Sequence, residues 1–123
     1  MSSNKSFSIT GRIKSFGFAI EGIITFFKTQ HNAWIHAFAT VIVVVLGFAF
    51  NVNNTEWCFL ITAIALVFIS EMLNTAIEFL TDIVSPDYNP KAKKVKDVAA
   101  GAVLISAIAA VVIGAVVFLP KLL

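Results

Sequence analysis

Val98 to Leu119 is an uninterrupted run of 22 residues without a charged side chain. At about 1.5 Å per helical residue it spans roughly 33 Å, enough to cross a hydrocarbon core about 30 Å thick. In lipid, backbone polar groups must be satisfied within the segment, so such a run is a transmembrane helix. The rest of the chain agrees. It has 123 residues, 59% of them hydrophobic and 13% charged, with mean hydropathy +0.91. Soluble domains are about a quarter charged, so a soluble enzyme is excluded. The net charge of +2 is too small to argue for a nucleic-acid partner. Cys58 is the only cysteine, which rules out an internal disulfide.

The expected architecture is all-α and a single domain over residues 1–123. Residues 1–8 are polar and expected to fray, and no cleavable signal peptide is expected there. From about 9 to 29 the apolar stripe Ile13, Phe16, Ile20, Ile23, Ile24 and Phe27 opposes Arg12, Lys14 and Lys28. This pattern predicts an amphipathic helix lying at a membrane surface. Gly17 and Gly22 have P-loop separation, but Ile23 and Ile24 stand where a phosphate-binding Lys-Ser/Thr pair is needed. Spans are expected at about 33–50, 56–84 and 97–119. Trp34 suits an interfacial anchor, and Asn32 and His36 share a helix face. Thr55 is the expected cap of the second span. Ser85 to Pro90 reads as a turn punctuated by two prolines, within a Pro86–Lys96 loop.

Basic residues set the orientation. Arg12, Lys14 and Lys28 precede the first span, and Lys91, Lys93, Lys94 and Lys96 lie between the second and third. The Asn51–Glu56 turn carries neither Lys nor Arg. The amino-terminus and the lysine-rich connection are therefore expected in the cytoplasm. Ala102, Ser106, Ala110 and Gly114 recur every four residues, a small-residue stripe that favours close helix approach and self-association.

The chemistry is concentrated in the second span. Its uncharged part, Trp57 to Ser70, is too short to cross alone, so the helix must carry Glu71 into the membrane. Glu71, Asn74, Glu78 and Asp82 fall on one helical stripe. Counted from Trp57, Glu71 lies about 21 Å along and Asp82 about 38 Å, so the column starts inside the bilayer and ends in water. Intramembrane carboxylates are costly and mark functional sites. Stacked carboxylates beside a lysine-rich segment, facing the cytoplasm and open to lipid, suit phosphoryl transfer from ATP to a membrane alcohol. Carboxylates hold Mg²⁺, lysines neutralise phosphate, and a further carboxylate can accept the hydroxyl proton. By depth, Glu71 is the base candidate and Glu78 the metal candidate, with Asn74 between them to orient the nucleophile or a phosphate. An ion carrier also uses intramembrane carboxylates, but three spans without internal repeats are few for a transporter.

Glu71-x-x-Asn74-Thr75-Ala76-Ile77-Glu78-x-x-x-Asp82, followed by Lys96-Asp97, resembles the small prokaryotic diacylglycerol kinase family, which includes undecaprenol kinases of Gram-positive bacteria. Ser15 to Ile23 and Asn32-x-x-Ile35-His36 look closer to the undecaprenol-kinase branch. The resemblance implies a homotrimer with active sites shared between subunits, MgATP as donor, a membrane lipid as acceptor and a place in the bacterial inner membrane. It implies Glu71 as base, Glu78 as a metal ligand, Asn74 as a substrate or phosphate contact, and Asp82, Lys96 and Asp97 on the nucleotide side. Arg12 or Lys14 matches a basic residue early in the surface helix. One departure is clear: Gln30 stands where the family places a second metal-binding glutamate. A fully active kinase and a weak or silent protein of the same fold both fit that change. Diacylglycerol and undecaprenol fit equally as acceptor.

Overall fold

The computed structural model describes residues 6–123, so part of the expected frayed stretch, residues 1–5, lies outside the described residues. Among the described residues the chain forms four α-helices: α1 (Ile9–Thr29), α2 (His31–Ala49), α3 (Asn54–Val84) and α4 (Pro90–Leu122). The last three are each long and apolar enough to cross a membrane.

Local chemistry sets the helix ends. The Ser8 hydroxyl caps α1 by accepting from the Gly11 N–H at 2.9 Å. Of the whole of α1 only Phe26 is buried, and Ile13, Phe16 and Ile20 are exposed. The stripe from Ile13 to Ile24 is left uncovered by the rest of the chain, as a helix lying on lipid requires, while Phe27 packs against Trp34 and Phe68. Gln30 is an extended one-residue elbow (φ −120°, ψ 116°) between α1 and α2. Trp34 pins the elbow: its indole N–H donates to the Phe27 carbonyl at 2.9 Å, and its ring meets Phe27 edge-on.

The turn from α2 to α3 passes through Asn51 in the left-handed region (φ 53°), a conformation asparagine tolerates. The cap of α3 is Asn53, not Thr55. Asn53 accepts from the Glu56 N–H at 2.8 Å, and Glu56 accepts from the Asn53 N–H at 3.0 Å. This reciprocal pair satisfies two otherwise orphaned donors, which a lone threonine two residues later could not do.

Asn89 caps α4, and Pro90 takes its first position, where a missing N–H costs nothing. The expected Pro86–Lys96 loop is therefore shorter than its prolines suggested, because α4 begins at Pro90. All four lysines lie on the first turns of α4, in one continuous helix with the apolar run. At 31 and 33 residues, α3 and α4 are about 46 and 50 Å long, so their charged ends project beyond a hydrocarbon core.

Helices α3 and α4 make the closest pair, and α1 and α2 lean on α3. Ser106, from the small-residue stripe, is buried in this arrangement, whereas an added side-chain carbon at Gly114 would meet nothing within 4 Å. Val52, Leu60 and Val117 form the core at one end, with Trp57 and Phe118 against it. Lys121 and Glu56 pair at 3.1 Å beside it, fastening the end of α4 to the start of α3. Elsewhere α2 and α4 stand apart over α3.

Candidate active site

The polar column on α3 runs from buried to exposed. Glu71 is buried, Asn74 and Glu78 are half-buried, and Asp82 is exposed. The helical repeat creates the alignment, and the neighbouring helices create the gradient.

Glu71 has a partner that sequence spacing did not reveal. Its Oε1 lies 2.8 Å from Nε2 of His36 on α2. The His36 ring also meets Phe68 edge-on, so the imidazole is held by packing as well as by its hydrogen bond. The surrounding hydroxyls are spent on backbone: Thr75 donates to the Glu71 carbonyl at 2.9 Å and Thr40 to the His36 carbonyl at 2.7 Å. Neither competes for the carboxylate. A groove of about 340 Å³ opens between α2, α3 and α4, walled by apolar side chains apart from His36 and Thr40. A buried acid–imidazole pair at the edge of an apolar groove can deprotonate a hydroxyl carried by a lipid.

One turn further, the Asn74 amide nitrogen donates to Glu78 Oε1 at 3.4 Å. The Asn74 Oδ1 atom is buried without a hydrogen-bond partner. A buried, unpartnered amide oxygen is costly unless something donates to it or coordinates it. It and the Glu78 carboxylate are oxygen donors of the kind a hard cation such as Mg²⁺ takes, although here the amide nitrogen is the atom turned to Glu78. Among the described residues no three His, Cys, Asp or Glu side chains converge into a metal-ligating set. Gln30 sits at the α1–α2 elbow with its amide nitrogen 3.3 Å from the Thr29 hydroxyl.

At the water end, Lys96 donates to Asp82 Oδ1 at 2.6 Å, joining α3 to α4. The hydrogen bond to the Asp82 carboxylate holds the Lys96 ammonium above the usual lysine range. Asp97 lies apart from this pair and takes Lys93 at 2.6 Å, both side chains exposed. Asp82, Lys93 and Lys96 border a basin of about 330 Å³ with Ser85, Asp87 and Tyr88. Both cations and anions there are suited to a hydrated polyphosphate and its metal.

The chain therefore brings together Glu71, Asn74 and Glu78 in one group, and Asp82 and Lys96 in a second. Arg12 and Lys14 are exposed on α1 and make no ion pair among the described residues; the Arg12 guanidinium lies over the Phe7 ring, 5.2 Å from its centroid. His36 is the residue that the sequence placed on a face with Asn32 without giving it a site role. Its face was legible, but its partner is 35 positions away on another helix.

Comparison with known proteins points the same way. The sequence model of a family described as prokaryotic diacylglycerol kinase matches residues 17–118. The chain is 40% identical over 109 residues to an undecaprenol kinase of Bacillus subtilis, covering 89% of each protein. It is 42% identical over 110 residues to a diacylglycerol kinase of a Synechocystis species, covering 89% of this chain and 63% of that one. To a diacylglycerol kinase of Escherichia coli it is 29% identical over 109 residues, 89% of each.

Proposed function

This chain belongs to the prokaryotic diacylglycerol kinase family, and from that premise we propose that it transfers the terminal phosphoryl group of ATP to the primary hydroxyl of a membrane lipid alcohol. It is a lipid kinase with three helices suited to membrane spans. The observation that carries the reading is the burial of Glu71 beside His36 at an apolar groove, with Glu78 and then the Asp82–Lys96 pair toward water on the same column.

In the proposed reaction the lipid hydroxyl gives its proton to the Glu71 carboxylate as its oxygen bonds the terminal phosphorus of ATP. The bond from that phosphorus to the bridging oxygen breaks, ADP leaves, and the lipid monophosphate remains. Such transfers depend on positioning and on neutralising phosphate charge. Asn74 orients the reactants above the base. Lys96 faces the nucleotide phosphates, and Asp82 and Asp97 set the position of the lysines. Glu78, with the amide oxygens of Asn74 and Gln30, would hold Mg²⁺, which would supply positive charge to the phosphate. Arg12 and Lys14 are the basic residues of the surface helix available to a lipid or phosphate oxygen.

The working form we propose is a homotrimer in the bacterial inner membrane, with the lysine end in the cytoplasm. The lysine and arginine bias supports the orientation. The resemblance to the family supports the trimer, and so does the small-residue stripe at Ala102, Ser106, Ala110 and Gly114.

The acceptor is undecaprenol or diacylglycerol. The 40% identity to a protein named undecaprenol kinase, over nearly the full length of both chains, favours the polyprenol. Purified protein in mixed micelles with γ-labelled ATP should move label into an organic extract containing either lipid, and the rate ratio identifies the substrate. No label in the extract from either would sink the reading. A second reading, a weak kinase, is favoured by one observation: Gln30 stands where a carboxylate would give the metal site a second negative charge.

A further inference from the structure

We propose that His36 is the positioning residue of the catalytic base: it holds the Glu71 carboxylate through Oε1 and leaves Oε2 free to take the lipid proton. The inference rests on the reading of Glu71 as base.

Three features of the pair support it. The contact, at 2.8 Å, is short for N–H···O and in the range of charge-assisted bonds. An ionised carboxylate only accepts, so when Glu71 is ready to act as base, Nε2 carries the hydrogen. Second, both residues are sheltered, with side-chain exposure of 23% for His36 and 8% for Glu71. Hydrogen bonds there are stronger than at a surface, and an unpaired carboxylate is far more costly. Third, no other side chain restrains the acid. The groups that face Glu71 from its own helix are Asn74, which turns its amide to Glu78, and Thr75, which bonds the backbone. From α2 they are His36 and Thr40, and Thr40 also bonds the backbone. Without His36 the glutamate side chain is free to rotate among rotamers, and only some point Oε2 at an incoming hydroxyl.

The imidazole also borders the apolar groove. A purely structural His36 would affect folding and assembly. A positioning His36 affects the rate at saturating lipid.

The test uses the full-length protein in lipid micelles and compares wild type, E71Q, H36L, H36Q and H36L/E71Q. Leucine fills the space but cannot donate. Glutamine places its amide nitrogen close to where Nε2 lies and can donate without titrating. The expected result is a fall of roughly 10–100-fold in kcat for H36L, the range seen when the partner that orients a reactive group is lost. Its KM for lipid and its melting temperature should stay near wild type, and H36Q should recover most of the lost kcat. In the E71Q background H36L should add little, because residues acting as a unit are not additive. If E71Q is inactive while H36L keeps full kcat, the inference fails and the base assignment stands. If E71Q itself keeps wild-type kcat, the base assignment fails first. A change in KM alone for H36L would make His36 a groove residue and overturn the proposal. So would an H36Q protein that melts like wild type yet is as slow as H36L.

Discussion

Lys96 on α4 donates to Asp82 on α3 at 2.6 Å, closing the helical hairpin just inside the Ser85–Asn89 turn. The pair holds Lys96 above the ordinary lysine value of 10.5. The sign follows from linkage. A lysine whose folded value is raised contributes stability that is complete below the unfolded value and disappears as pH rises through the folded one. Wild type should therefore lose melting temperature above about pH 10.5 to a greater extent than D82N, which has no pair to lose. The difference should be small, since both side chains are largely exposed. Parallel melting curves for the two proteins from pH 9 to pH 11.5 would show that the pair contributes nothing.

Glu71 and Glu78 should fail differently. E71Q removes the proton acceptor and should lower kcat by about 10²–10⁴-fold at every Mg²⁺ concentration. E78Q removes charge from the metal site, so excess Mg²⁺ should restore part of its activity. The buried and half-buried positions of the two carboxylates fit this division. Equal rescue of both by Mg²⁺ would reverse or abolish the assignment.

The three apolar spans were legible because lipid demands long, uncharged helices, and those leave no ambiguity of period. The stop at Ser85 and the restart at Pro90 were partly legible. Proline at the first helical position starts a helix as readily as proline in a turn ends one, and the lysines that follow are helical. Asn53-x-x-Glu56 carried a capping-box signature that reading Thr55 as the cap missed. The column on α3 was legible because residues on one helix keep a fixed spacing. His36–Glu71 and Lys96–Asp82 were not, since each joins two helices and depends on how they are rotated against one another. The stripe at Ala102, Ser106, Ala110 and Gly114 was visible, but its neighbour was not: Ser106 is buried within this chain, and Gly114 borders the groove.

Gly47 is required by Trp57. A side-chain carbon at position 47 would overlap the Trp57 ring, which also stacks near Phe48. G47A should destabilise the α2–α3 end by about 1–3 kcal/mol, the usual cost of overpacking. Trp57→Leu should relieve most of that cost, which a double-mutant cycle on thermal melts would detect. Additive losses would place the strain elsewhere.

Orientation can be read chemically. In a background with Cys58 replaced by alanine, N53C should be labelled only from outside the cell by an impermeant maleimide, and K94C only after the membrane is opened. Labelling in the opposite sense would put the polar column on the side without ATP and remove the basis for a kinase.

Gln30 is the residue on which catalytic strength should turn. The resemblance to the family places it at the position of a second metal-binding glutamate, in a chain that has Glu71, Asn74 and Glu78. Two carboxylates neutralise a divalent ion, whereas one carboxylate with amide oxygens leaves excess positive charge and a weaker hold. The unpartnered Asn74 amide oxygen can supply coordination but no charge. Wild type should need more Mg²⁺ for half-maximal rate than Q30E, or work better with Mn²⁺, whose affinity for oxygen and nitrogen sites is higher than that of the harder ion. Q30E should lower the half-saturating Mg²⁺ concentration and raise the rate, with little change in apparent lipid affinity. The Gln30 amide nitrogen lies 3.3 Å from the Thr29 hydroxyl at the elbow. Mg²⁺ titrations of the two proteins in lipid micelles distinguish the outcomes. Identical metal curves for two active enzymes would mean that position 30 does not face the ion, and a Q30E protein no more active than an inactive wild type would mean that one restored charge cannot rebuild the site.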